Sequence, residues 1–308
     1  MTERLGLAVI PGIGWSADDI RTVARAAEDA GFEAIFSTEV NNDAMATAQL
    51  MGSATERIKV GTWIANIYLR NSYTCAQGAA LIADATGGRF ILGLGVSHPP
   101  INAALGVDMG DTLEVFRRYL SEVRGWLRGE GPPTHLPQHP APVDVPVYAA
   151  CMTSSTVEIA AELADGLMPL YWSVDRVRQS KEWVERGRAR AGASRPLTFT
   201  LGLPTFIGDD LDAVHEVARQ NLQLYARFPF VRHMVRVSGF EKEADLMEQG
   251  NGLAGFSDRL IDWACLIGTV EQCKERLAEY REAGVELPIL YPGIGVEAAM
   301  ETIQAFRQ

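Results

Sequence analysis

The stretch from Ile58 to Pro100 limits the choice of fold more than any other part of the chain. IKVGTWI (58–64) is an apolar run bounded by polar residues, and SYTCAQGAALIADA (72–85) reads as a helix with small and apolar residues around much of its surface. Gly87-Gly88 ends that helix, as glycine just past a helix end does. RFILGLG (89–95) then returns to a short apolar run, the pattern of a parallel strand covered on both faces. The unit is strand, helix, strand, and a site-like cluster follows each strand. After the first come Ala65, Asn66 and Tyr68; after the second come Gly95, Val96, Ser97 and His98. The glycines let a ligand approach the backbone, and a titratable histidine stands at the strand end.

The same alternation runs through the chain. Further strands are predicted over 5–10, 33–38, 145–150, 166–170, 197–207 and 287–291, with helices between them. Ser16, with Asp18 and Asp19 behind it, is a helix start, and Thr269 with Glu271 and Gln272 is another. After His98 the pattern loosens until a helix over 112–127, and 129–144, rich in Pro, Gly and His, reads as a loop. Residues 225–256 break the alternation and read as an insertion of short helices, and 257–265 reads as helix. Eight strands alternating with helices imply a parallel sheet, and a (β/α)8 barrel is its natural closure. An open doubly wound sheet is disfavoured, because no GxGxxG follows the first strand and Gly93-Leu94-Gly95 leads into His-Pro-Pro.

A chain of 308 residues, 47% hydrophobic, fits one such domain spanning 1–308. Its net charge of −11 argues against nucleic acid or an anionic membrane as the main partner. No apolar run is long enough to span a bilayer and no signal peptide is evident. Cys75, Cys151, Cys265 and Cys273 are scattered without a CxxC pair, which fits buried reduced thiols in a cytoplasmic protein.

In a barrel the site lies at the carboxyl ends of the strands. Those ends gather Trp15, Glu39, Trp63 to Tyr68, Ser97 and His98, Cys151 to Ser155, Tyr171 and Trp172, with Phe206 and Tyr291. The set is aromatic and rich in amides and hydroxyls, with one carboxylate and one histidine. It suits a large planar ligand better than a metal ion, which would need three or four His, Asp or Glu ligands. Cys151-Met152-Thr153-Ser154-Ser155 leads directly into a helix, where free N–H groups and hydroxyls form a phosphate site. The same residues also read as an ordinary Ser/Thr helix cap. Glu39 reads equally as a solvated or capping acid, His98 as a structural histidine, and Trp63 as core. His135 and His139 are expected in a solvated loop, and His215 and His233 on helix surfaces. Arg227, Arg232 and Arg236 are expected in surface salt bridges, unless the insertion folds over the barrel mouth.

Five motifs together carry a resemblance: GFEAIFSTE (31–39), ERIKVGTWIANIYLRN (56–71), GGRFILGLGVSH (87–98), VPVYAACMTSSTVEIAAELADG (145–166) and GTVEQCKERLAEYREAGVELPILYP (268–292). The chain resembles the bacterial luciferase-like family, and within it the branch of oxidoreductases that use coenzyme F420. The resemblance implies a TIM barrel with an insertion near the seventh strand, and a homodimer. It implies a non-prolyl cis peptide at Trp63–Ile64, in a bulge behind the deazaflavin ring, with Ala65 and Asn66 on the same side. By position, Glu39 matches an acidic cofactor contact; Val40 stands where relatives often carry histidine. His98 falls where some relatives place a proton-donating glutamate, so it inherits the part of general acid or base. Cys151, Met152, Thr153, Ser154 and Ser155 replace the usual phosphate loop, and Gly95, Val96 and Ser97 adjoin the cofactor. Trp15, Tyr68, Tyr171 and Trp172 are expected to line a substrate pocket. The activity implied is hydride transfer between F420 and a small organic substrate. The alternatives are an FMN-dependent monooxygenase on the same barrel and a silent barrel that only binds a flavin.

Overall fold

In a computed structural model, which describes residues 3–130, 144–192 and 196–308, the apolar runs form ten strands. They are β1 (Gly6–Val9), β2 (Ala34–Ser37), β3 (Lys59–Thr62), β4 (Ala65–Asn66), β5 (Phe90–Gly95), β6 (Val147–Ala150), β7 (Gly166–Met168), β8 (Thr198–Ile207), β9 (Leu266–Gly268) and β10 (Leu287–Pro292). All pairings between them are parallel. The order β10-β1-β2-β3-β5-β6-β7-β8 closes on itself because β8 also pairs with β10. The architecture is therefore a (β/α)8 barrel, with β3 and β4 sharing one of the eight places.

The break between β3 and β4 is a bulge. Gly61 lies opposite Ile91 and Ala65 opposite Leu94, so four steps along one strand match three along its neighbour. The Trp63–Ile64 peptide within it is cis.

Strand alternation sorts the apolar residues into two cores. One fills the barrel: Ala8, Phe36, Trp63, Ile91, Met168 and Ile289 belong to it, with Tyr148 and Tyr291. The other, much larger, lies between the strands and the helices and takes the alternate positions such as Leu7, Ile35, Val60 and Leu92. The barrel interior is narrow, so large side chains need small ones opposite. A Cβ on Gly61 would meet the Phe36 ring at 2.8 Å, and one on Gly202 would meet the Trp63 indole at 2.2 Å.

The insertion follows β8 and the helix Leu211–Leu222. It comprises a 3-10 turn (Gln223–Arg227) and helices Pro229–Val237, Glu241–Glu248 and Gly252–Gly255; helix Asp258–Ala264 then leads back to β9. The sequence reading missed β9, which is only three residues long and pairs with the far end of β8 at Thr205↔Leu266. It also missed a short helix, Pro99–Ala104, whose first position is the proline that helix starts favour. His215 is not on a surface: it is 5% exposed and pairs with Asp262 at 2.8 Å, because helix Asp258–Ala264 folds back over it. The reading of the loop over 129–144, with His135 and His139, lies largely outside the described residues. The four cysteines are free and buried. Among the described residues no helix is long and apolar enough to cross a membrane.

Gly202→Ala is expected to overpack the barrel against Trp63 and to lower unfolding free energy in urea by about 1–3 kcal/mol. A loss below about 0.5 kcal/mol would show that the indole has room to move.

Candidate active site

At the carboxyl ends of the strands the barrel opens into a cavity of about 340 Å³. The β3–β4 bulge supplies one wall through Trp63 and Ile64, and Met168 and Leu170 continue it. Glu39 stands at the end of β2, where its carboxylate is held by its neighbours. Its Oε1 accepts from Arg70 Nη2 at 2.5 Å and its Oε2 from Arg70 Nη1 at 3.0 Å. Oε2 also accepts the Asn66 backbone N–H at 2.5 Å. The Glu39 and Arg70 side chains are only 6% and 13% exposed, so this is a buried bidentate pair. Burial opposes the charge on Arg70, but its bonds to Glu39 outweigh that and raise its pKa above the ordinary value.

The clamp extends further. Asn66 Nδ2 donates to Asn102 Oδ1 at 2.8 Å, and Asn102 Nδ2 donates to the Val96 carbonyl at 2.9 Å. Asn102 is fully buried. One chain of hydrogen bonds thus links the ends of β2, β4 and β5. Arg70 and Asn102 were not read from the sequence. Each is a polar residue beside a helix pattern, with no local signal that its partner lies in a distant strand end.

His98 caps the short helix Pro99–Ala104 and lines the cavity. Its ring stacks on Phe228 at 4.1 Å and lies parallel to Phe230 at 5.1 Å, so the insertion does fold over the barrel mouth. Burial, without a charged partner, lowers the His98 pKa to about 4. The ring is therefore neutral at pH 7 in the cofactor-free protein, whereas sequence reasoning placed it near neutrality. The arginines of the insertion do not line the cavity. Arg232 donates to the Ala226 carbonyl, and Arg236 pairs with Asp245 and Glu248.

At the other end, Met152, Thr153 and Thr156 line the cavity at the start of helix Ser154–Leu163. Thr156 Oγ1 accepts the N–H groups of Met152 and Thr153, both at 3.0 Å, and Thr153 Oγ1 accepts from Thr156. The first-turn N–H groups of Ser154 and Ser155 have no partner among the described residues. Arg176 donates to the Met152 carbonyl at 3.1 Å and packs over Trp172 and Trp183. Among the described residues it has no carboxylate partner.

Of the expected cofactor residues, Glu39, Trp63, Ile64, Asn66, Val96 and Ser97 line this cavity, as do Cys151, Met152 and Thr153. Ala65 is buried behind the bulge, Gly95 is pressed between Ile64 and Ala150, and neither Ser154 nor Ser155 contributes to the lining. The four expected substrate aromatics lie elsewhere. Trp172 is fully buried on the outer side of the barrel, against Trp183 and Phe199. Tyr171 is buried edge-on to Tyr225, Tyr68 donates to the Met109 carbonyl, and Trp15 packs on the outer core. Residues near a strand end alternate in direction and can be drawn into either core, which a list of strand ends does not resolve. The aromatic walls come instead from Trp63 of the bulge, from Tyr225 and Phe230 of the insertion and from Tyr291.

Among the described residues three non-glycine positions adopt left-handed backbone: Asn41, Ser97 and Tyr171. All three follow the ends of barrel strands, where such outliers gather around functional sites.

A parallel (β/α)8 barrel with a bulged third strand and an apolar cavity at its carboxyl mouth defines the class. The sequence profile of the luciferase-like monooxygenases matches residues 7–287, and the chain belongs to that family. It is 28% identical to a Mycobacterium tuberculosis protein whose name assigns it provisionally to the coenzyme F420-dependent oxidoreductases; the match covers 87% of this chain and 89% of that protein. The coenzyme F420-dependent tetrahydromethanopterin reductase of Methanopyrus kandleri shares the fold with a TM-score of 0.79 at 20% identity, over 100% of this chain and 98% of that one. An F420-dependent secondary alcohol dehydrogenase, solved with an F420–acetone adduct, gives 0.79 at 17% identity over the whole of both chains.

Arg70→Met is expected to strand the buried Glu39 carboxylate and to cost about 3–5 kcal/mol in denaturant unfolding. A cost near zero would mean that the pair does not organise the site. The His98 ring should titrate near pH 4 when followed by NMR in the cofactor-free protein, against 6.5 for an unperturbed imidazole. The unfolded chain then takes up this proton first. The stability conferred by a neutral His98 is complete above about 6.5 and is lost as pH falls towards about 4. His98→Phe should flatten that part of the stability–pH curve.

Proposed function

We propose that this chain is an F420-dependent oxidoreductase that transfers a hydride between the deazaflavin and a small organic substrate. The observation that carries the reading is the cavity itself. Its bulged wall at Trp63–Ile64 faces an apolar space, and one end reaches the start of helix Ser154–Leu163 through Met152, Thr153 and Thr156. The M. tuberculosis relative, similar over nearly its full length, supports the same reading.

The residues fit such a cofactor. Apolar walls suit a planar ring, and the helix start at Ser154, with Arg176 behind Met152 and without a carboxylate partner among the described residues, suits an anionic phosphate group. When bound, F420 supplies or accepts the hydride. The Glu39–Arg70 pair holds Asn66 and so keeps the bulge in place as a wall against which a planar ring would pack. His98 lines the cavity as a neutral imidazole. It can accept a proton from a hydroxyl undergoing oxidation, or offer a ring N–H to a carbonyl undergoing reduction. Apolar surroundings strengthen that hydrogen bond. Tyr225 and Tyr291, whose hydroxyls lie 2.6 Å apart, complete the polar groups on that side.

The description of the family as monooxygenases supports a second reading, with FMN in the same cavity. A fluorescence titration of the apo protein with F420 and, separately, with FMN discriminates between them. Binding of F420 in preference to FMN is the expected result; preference for FMN would replace the reading. His98→Ala is expected to lower turnover of the F420-loaded protein while leaving the F420 dissociation constant nearly unchanged. Unchanged turnover would remove His98 from the chemistry.

A further inference from the structure

A second cavity, of about 160 Å³, adjoins the first. The two share His98, Tyr225, Tyr291, Val40 and Ile101, and the more buried His98, Tyr225 and Tyr291 form the partition between them. The second compartment lies under the insertion, against the ends of β1, β8 and β10. Ile10, Pro204, Phe206, Leu222 and Phe228 line its interior. None of its lining residues carries a permanent charge. Asn221 is its one amide, and that group is already engaged: Oδ1 accepts the Ile294 N–H and Nδ2 donates to the Val217 carbonyl, both at 2.8 Å.

The mouth is equally apolar. Ile13, Val40, Leu224 and Ile294, each 37–48% exposed, stand around it. Large apolar side chains are ordinarily left in water singly; four around one opening mark a binding site. The volume is too small for a peptide segment and close to that of an engineered cavity of about 150 Å³ that takes benzene.

We propose that this second compartment is the substrate site, and that its substrate is a small uncharged molecule with an apolar body about the size of a six-membered ring and one hydrogen-bonding oxygen. The oxygen faces the partition. In the Tyr225–Tyr291 pair one hydroxyl donates to the other, so one hydroxyl hydrogen of the pair is not spent between them, with the buried Tyr171 phenol edge-on to Tyr225. Burial holds both phenols above their ordinary pKa, so that hydrogen stays in place at neutral pH. A carboxylate, phosphate or ammonium group would enter a compartment with no counter-charge and would lose its hydration uncompensated. The apolar body would occupy the second compartment while the oxygen-bearing carbon reaches past His98 towards the first.

This inference rests on the proposed function for its meaning, but its test does not need the cofactor. The cofactor-free protein, methyl-labelled at Ile, Leu and Met, is titrated with cyclohexanone and separately with cyclohexanecarboxylate at pH 7. Cyclohexanone is expected to shift the methyl resonances of Ile13, Leu224 and Ile294 and to leave those of Ile64 and Met168 in place. Cyclohexanecarboxylate should shift none of them. Ile13→Glu, on an exposed loop, should weaken cyclohexanone binding by roughly tenfold or more. Absence of cyclohexanone shifts, shifts confined to Ile64 and Met168, or equal binding of the carboxylate would overturn the proposal. F420 added to the same sample reports on Ile64 and Met168. Its failure to bind would sink the cofactor reading while leaving the ligand result for the second compartment to be judged by itself.

Discussion

The mouth of this barrel depends on one buried ion pair. A carboxylate such as Glu39, 6% exposed, loses most of its hydration and is tolerable only with a well-aligned partner. Arg70 supplies two parallel hydrogen bonds, and the remaining capacity of the carboxylate takes the backbone N–H groups of Asn66 and, at 3.3 Å, Ala44. The bond to Asn66 fixes the strand segment immediately after the Trp63–Ile64 bulge. Asn102 carries the constraint on to Val96 and so to the loop that presents Ser97 and His98. Three strand ends are held in mutual register by buried polar groups that bond to one another instead of to water.

Around this polar frame the cavities are apolar. Their walls come from two sources that are far apart in the chain: the barrel strands, through Ile64 and Met168, and the insertion, through Tyr225 and Phe230. The stack of His98 on Phe228 ties the two together. It also removes the imidazole from water, which is why the ring stays neutral where an exposed histidine would begin to protonate. A polar group in such surroundings interacts strongly with whatever hydrogen-bonds to it. The second compartment, with no permanently charged residue in its lining, offers nothing to a free charge.

The fold was legible from residues 58–100 because strand and helix there are long enough to show their periods. The bulge and its cis peptide were legible only through the family resemblance; the residues TWIAN show no feature that requires either. The third residue of that run, Ile64, and His98 line the cavity, each two or three residues past the end of a strand. Tyr171 and Trp172 were not. Both stand after a strand end, but a left-handed residue at Tyr171 redirects the backbone, and both rings are taken into core packing. Strand β9 escaped because three residues carry no periodicity, and Arg70 because its partner lies 31 positions away.

By itself the sequence determined the alternation of strands and helices, the closure into a barrel and the position of the insertion, since these follow from apolar periodicity and local capping. It also determined which residues stand at the carboxyl ends of the strands. Tertiary structure alone decided which of those residues face the cavity and which are drawn into the cores. It decided that the insertion closes over His98, that Glu39 is spent on Arg70 and Asn66, and that a second apolar compartment lies beyond the tyrosine pair. Each of these is a contact between segments remote in sequence, and its energy depends on distance and burial, which no local pattern encodes.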